Sequence, residues 1–162
     1  MSAPARPHFV YVTYIASTPE KVWQALTDPA MTEQYWFGYR VAANGRAGDY
    51  MTATDPTGKL IHRDAIIESD PPRRLVYAWR SLLDEFKDER PSRVTIELTP
   101  LKDQVRLTLV HDDFDDGSKM FESISRGWPA VLSSLKSFLE TGRGLEPSWR
   151  TEDKPWLKER RA

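Results

Sequence analysis

The sequence predicts an α+β fold: a seven-stranded antiparallel sheet, two short helices between strands 1 and 2, and one long C-terminal helix covering a face of the sheet. Three observations carry this. Short runs of β-branched and aromatic residues recur between turns rich in Pro, Gly and Asp. Two helix-start signals follow the first of these runs. One long stretch near the C-terminus repeats apolar residues at spacings of three and four.

Residues 1–7 contain two prolines and no periodicity, and read as a lead-in. "FVYVTYI", 9–15, is the first strand by composition. In "STPEKVWQALTDP", Ser17 and Glu20 fit a capping box and Pro19 fits the first helical turn. Val22, Trp23 and Leu26 form the apolar stripe of that helix, and Pro29 ends it. "PAMTEQYW" is a second short helix closing at Gly38. Strands follow near 39–43, 48–54, 59–69, 73–80, 92–99 and 104–112. They are punctuated by "NGRAG", "DPTG", "SDPP", a charged loop at 84–91, and "PLKD". Short connections between successive strands imply an antiparallel meander.

The long helix is predicted over 118–140, with Phe121, Ile124, Trp128, Val131, Leu132, Leu135, Phe138 and Leu139 on its apolar face. Ser118 is its expected N-cap and Gly142 its expected C-cap. At 1.5 Å per residue it is about 35 Å long, enough to lie across the sheet. Gly127 and Pro129 bracket Trp128 within it. Proline removes one bond to the carbonyl of Ser125, and glycine costs about 1 kcal/mol against alanine. A kink near 125–129 is therefore expected. It either improves packing or lifts the N-terminal half of the helix and leaves a space beside Trp128. Trp23, Leu75 and Leu135 are expected in the core.

The chain of 162 residues suits a single domain, placed at 8–145. The charged tail, 146–162, reads as solvated, or as an arm that docks Trp149 and Trp156 on the body or on a second subunit of a homodimer. Net charge is −1, which argues against nucleic-acid binding. No stretch approaches the ~20 apolar residues of a membrane span, and the N-terminus lacks a signal-peptide pattern. Cysteine is absent, so neither a disulfide framework nor thiolate chemistry is available. A cytoplasmic location is the expectation. "HDDFDDG" fails the calcium-loop spacing, because Phe114 falls where an oxygen ligand is needed. His8, His62 and His111 have no zinc spacing. No phosphate-binding loop, dinucleotide fingerprint or nucleophile elbow is present. No metal, cofactor or covalent catalyst is expected.

Strand alternation places Val105, Leu107, Leu109 and His111 on one face, turned toward the helix. Leu75, Tyr77 and Trp79 share a face, as do Val94, Ile96 and Leu98. An inward His111 can be a general base, a hydrogen-bond partner for a ligand, or a satisfied core histidine. His62 and Asp64 read most simply as two residues of an exposed strand, and otherwise as a pair that orients a polar ligand.

Several segments carry a resemblance: "STPEKVWQALTDP", "QYWFGYRV", "ESDPPRRLVYAW", "RVTIEL" and "GWPAVLSSLKSFLETG". In order and spacing they resemble the SRPBCC (START-like) superfamily over about residues 9–145. The nearest branch is the activator of heat shock protein 90 ATPase homologues, in their small bacterial single-domain form. The resemblance implies a helix-grip fold, a sheet wrapped around a long C-terminal helix with a cavity between them. It implies no single activity, since members include lipid and polyketide binders and cyclases. It places Trp36 and Phe37 at one side of the cavity. Tyr77, Trp79, His111, Phe114, Phe121 and Trp128 complete the expected ligand-binding set. The leading reading is a binding module for a small, mostly apolar ligand, in a pocket of a few hundred Å³. The alternatives are a protein-interaction or chaperone-linked stress module, and a cyclase- or hydrolase-like enzyme using the same cavity.

Overall fold

A computed structural model describes residues 6–43 and 45–146. The expectations for Trp149 and Trp156 lie outside the described residues. The elements run β1 (Phe9–Ile15), α1 (Pro19–Thr27), α2 (Pro29–Tyr35), β2 (Arg40–Ala42), β3 (Tyr50–Thr54), β4 (Leu60–Asp70) and β5 (Arg74–Trp79). A 3₁₀ turn at Asp84–Phe86 precedes β6 (Ser92–Pro100), β7 (Val105–Asp112) and α3 (Lys119–Thr141). The strands form one antiparallel sheet in the order β1-β7-β6-β5-β4-β3-β2. This is the helix-grip arrangement. No helix among the described residues is long and apolar enough to cross a membrane.

Local chemistry sets the helix ends. The N-cap of α1 is Thr18, whose hydroxyl accepts from the Lys21 amide at 3.3 Å, and not the expected Ser17. Pro19 occupies the first helical position, so the cap falls on the residue before it. Asp28 closes α1 and opens α2, its carboxylate accepting from the Ala30 amide at 2.9 Å. In α3, the Ser118 hydroxyl accepts from the Phe121 amide at 3.0 Å. Gly142 ends that helix at φ 84°, the left-handed conformation glycine adopts without a Cβ penalty.

One core joins the inner sheet face to the three helices. Leu75, Val94, Val105, Leu107 and Leu109 meet Val22, Leu132 and Leu135 in it, each nearly or fully buried. Trp23 departs from expectation. Val22, Ala25 and Leu26 take the inward positions of α1, while Trp23 sits half-buried at the core's edge. Polar ties fix α3 against β1. The Lys136 ammonium donates to the Tyr14 carbonyl at 2.7 Å, and the Glu140 carboxylate accepts from the Ala16 amide at 2.8 Å.

The loop between β5 and β6 is fastened to the start of α3. Glu89 accepts from the Ser118 hydroxyl and, at 3.2 Å, from the Met120 amide. The Arg90 guanidinium donates to Asp115 at 2.7 Å and to Asp113 at 3.0 Å. An anion at a helix N-terminus also complements the helix dipole. These contacts hold Leu83 and Phe86 of the loop over the end of the sheet where the cavity lies.

Candidate functional site

A cavity of about 150 Å³ lies between the sheet and α3. It is smaller than the expected few hundred Å³, because large aromatic side chains fill much of the space they surround. Five of the eight side chains expected in its walls line it: Trp36, Phe37, Tyr77, Trp79 and Trp128. Three indoles form a contiguous wall, with the Trp36 and Trp128 rings 5.5 Å apart and Trp79 and Trp128 5.3 Å apart. The Trp79 N–H donates to the Met120 sulfur at 3.1 Å, which fixes its ring. Val41, Met51, Ile61, Ile124 and Val131 supply aliphatic surface.

Gly127 explains part of the Gly-Trp-Pro stretch. It lines the cavity, and a Cβ added there meets nothing within 4 Å. Its missing side chain therefore leaves open space beside Trp128. The helix runs on across Pro129 to Thr141.

Phe37 has φ 53°, a left-handed conformation that a bulky residue rarely adopts. It follows the C-cap of α2, where glycine is the usual occupant. Its side chain is buried in the cavity wall, and that burial offsets the backbone strain.

His111, Phe114 and Phe121 do not line the cavity, contrary to expectation. His111 is fully buried behind the indoles, with Trp79 5.3 Å and Phe114 4.6 Å from its ring. The Trp128 indole N–H donates to Nδ1 at 3.0 Å. Nδ1 must therefore carry the lone pair, so Nε2–H donates to the Ser92 hydroxyl at 2.7 Å. Burial, with a smaller effect of the nearby His62, depresses its pKa to about 3. Both ring nitrogens are committed, and His111 has none left to accept a substrate proton. It is a satisfied core histidine that holds Trp128 in place. Phe114 and Phe121 pack edge to face at 5.2 Å, with Phe114 against the His111 ring.

The polar part of the cavity comes from β4 instead. His62, Asp64 and Ile66 face inward and are buried, so the exposed-strand reading of His62 and Asp64 is corrected. Between its two register shifts β4 alternates regularly, which puts His62 and Asp64 on the face of buried Ile66. The β3–β4 register shifts at Ala53/Thr54 and the β4–β5 register at Ile66/Glu68; His62 pairs with Ala53 of β3 on one side and, past the end of β5, meets Ser81 through an isolated bridge on the other. Asp64 stitches that gap, its Oδ1 accepting from the Arg80 amide at 2.6 Å and from His62 Nδ1 at 3.1 Å. Burial raises the Asp64 pKa against the opposing pull of His62 and the Arg80 amide. His62, Asp64, Tyr77 and Ser81 all border the cavity. Burial, with Asp64 nearby, pushes the Tyr77 phenol well above its ordinary range. Alternation groups His62 and Asp64 with Ile66, but Ile61 and Ile67 of the opposite parity are equally apolar, so the residue pattern leaves the inward face of β4 undecided.

The arrangement is thus an aromatic and aliphatic chamber with one hydrogen-bonding wall, on a sheet gripping a long helix. Residues 16–140 match the family described as Activator of Hsp90 ATPase homolog 1-like protein. The chain belongs to this family. Among solved structures it is similar to the Aha1 dimer from Colwellia psychrerythraea, at TM-score 0.70 and 19% identity, covering 85% of this chain and 99% of that one. Protein MLL2253 from Mesorhizobium loti is similar at TM-score 0.70 and 24% identity, covering 83% and 97%. CalU16 from Micromonospora echinospora is similar at TM-score 0.66 and 20% identity, covering 91% and 82%. At these identities the likeness establishes the fold. Among curated proteins, no sequence matches the chain.

Proposed function

We propose that this protein binds a small, mostly apolar ligand in the cavity between its sheet and α3. The observation that carries the reading is the chamber: about 150 Å³, walled by three indoles and aliphatic side chains, with few polar groups. Ligand sites have this chemistry, a mostly apolar lining with a small number of placed polar groups. An engineered apolar cavity of ~150 Å³ holds benzene, so a single ring is the scale of ligand that fits. Trp36, Phe37, Tyr77, Trp79 and Trp128 are the contacting residues in this proposal. His111, Phe114 and Phe121 support the Trp79–Trp128 wall from outside it.

Gly127 provides the test. Gly127→Leu puts a side chain into open space, so the helix should keep or gain stability, by up to about 1 kcal/mol from propensity. The same side chain occupies the chamber. Toluene binding, followed by ligand-observed NMR, is expected to fall at least about tenfold in Gly127→Leu with the melting temperature held or raised. Unchanged toluene binding in a folded Gly127→Leu protein would overturn the proposal, as would no toluene binding to the parent protein.

A second reading, a homodimer, is favoured by the outer side of β1. This edge strand exposes Val10, Val12 and Tyr14, and the similar Colwellia protein is a dimer. Sedimentation at twice the chain mass is expected, reverting to one mass in Val12→Lys. A single-mass species at high micromolar concentration would exclude it.

A further inference from the structure

We infer that the ligand is a one-ring phenol, held by its hydroxyl against the polar wall of the chamber; this rests on the proposed binding role and goes beyond it. Two residues of the wall are buried as a whole yet present to the chamber a polar atom that no described residue bonds. Tyr77 is 1% exposed and lines the cavity, yet its hydroxyl has no hydrogen-bond partner among the described residues. His62, 8% exposed, bonds Asp64 through Nδ1, and its Nε2 has no partner among the described residues either. Neither atom is sealed in the interior, since among the described residues only Asp112 Oδ1 is buried from solvent without a partner; both belong to residues that line the chamber, and whatever fills it must satisfy them.

The two groups have complementary needs. The Asp64 Oδ1 already accepts from the Arg80 amide, so His62 donates to it from Nδ1–H, and in the neutral imidazole the lone pair is then on Nε2. The Tyr77 hydroxyl is a donor in want of an acceptor, and burial keeps it protonated. A ligand hydroxyl meets both needs, donating to the His62–Asp64 pair and accepting from Tyr77. A carbonyl or an ether meets only the second, and a hydrocarbon meets neither. The rest of the molecule must be flat and aromatic to lie against Trp36, Trp79 and Trp128, and the chamber has room for about one ring. Indoles beside a carboxylate also suit a quaternary ammonium. That cation gives Tyr77 no acceptor and His62 no donor, so the phenol is favoured.

Phenol and toluene differ by a hydroxyl for a methyl at nearly equal size, and an ordinary apolar pocket prefers toluene. Titration calorimetry of the full chain with phenol, toluene and tetramethylammonium is expected to show phenol binding about tenfold tighter than toluene, with no ammonium binding. In Tyr77→Phe, which removes only the hydroxyl, the ratio of phenol to toluene affinity should fall to one or below. His62→Phe should act the same way. Toluene binding equal to or tighter than phenol in the parent protein overturns the phenol inference and leaves the cavity reading standing. A phenol preference that survives Tyr77→Phe overturns it too, as does tetramethylammonium binding tighter than phenol. Failure of both phenol and toluene to bind overturns the cavity reading and this inference together.

Discussion

Leu135→Ala is expected to lower the unfolding free energy by about 2–5 kcal/mol, the usual cost of truncating a buried leucine. Leu135 is fully buried near the middle of α3, in the core that also holds Leu132, Val105 and Leu107. The loss has two parts: the transfer free energy of the removed methine and methyl groups, and the void they leave. Relaxation can close little of that void. The helix is tied to β1 through Lys136 and Glu140, one and five residues further on, and cannot easily settle inward. Urea denaturation checks the value: the midpoint should fall while the slope is unchanged, since the surface exposed on unfolding is nearly the same. A loss under about 1 kcal/mol would mean that the grip of the sheet on α3 is not the main source of stability.

Acidification should be almost as costly, through one residue. His111 is held neutral in the fold, with its pKa depressed from 6.5 to about 3. Once unfolded, it protonates near its ordinary value. The unfolded chain therefore binds more protons than the native protein between these two pH values. The contribution of His111 is fully present above pH 6.5 and is lost progressively as the pH falls through 3. At 1.36 kcal/mol per unit, that contribution approaches about 5 kcal/mol in total. Asp64 works in the opposite direction. Burial raises its pKa, so its contribution favours the fold at low pH and fades as the pH rises above its ordinary carboxylate range. Urea titrations from pH 7 down to pH 3.5 should show the loss, and His111→Gln should flatten the slope below pH 6.5. NMR titration of the imidazole gives an independent check: His111 should stay neutral at pH 5. Native His111 titrating near 6.5 would contradict the buried, doubly bonded geometry.

Much of the architecture is legible in the residues alone, because it rests on local chemistry and periodicity. Strand composition, turn residues between runs, the two proline-started helices and the three-and-four spacing of α3 all act within a few residues of one another. The inward faces of β5, β6 and β7 follow from alternation, since those strands pair in continuous register. Trp36, Tyr77 and Trp128 belong to the chamber for related reasons: they stand at an element end, on an alternating face and on a helical stripe. What only the tertiary structure decided is which of the inward groups meet empty space and which meet each other. His111 and Trp79 are both large and inward, yet one is locked between Trp128 and Ser92 while the other borders the cavity. Trp23 lies on an apolar stripe but ends half-buried, because the neighbouring α1 residues take the positions under the sheet. His62 and Asp64 share a parity with inward Ile66, but Ile61 and Ile67 offer the opposite one, and only the pairing of β4 with β3 and β5 decides between them. Periodicity acts along the chain and can be read from it. Packing and register are agreements between distant segments, so the polar wall of the chamber takes form only when the sheet closes on the helix.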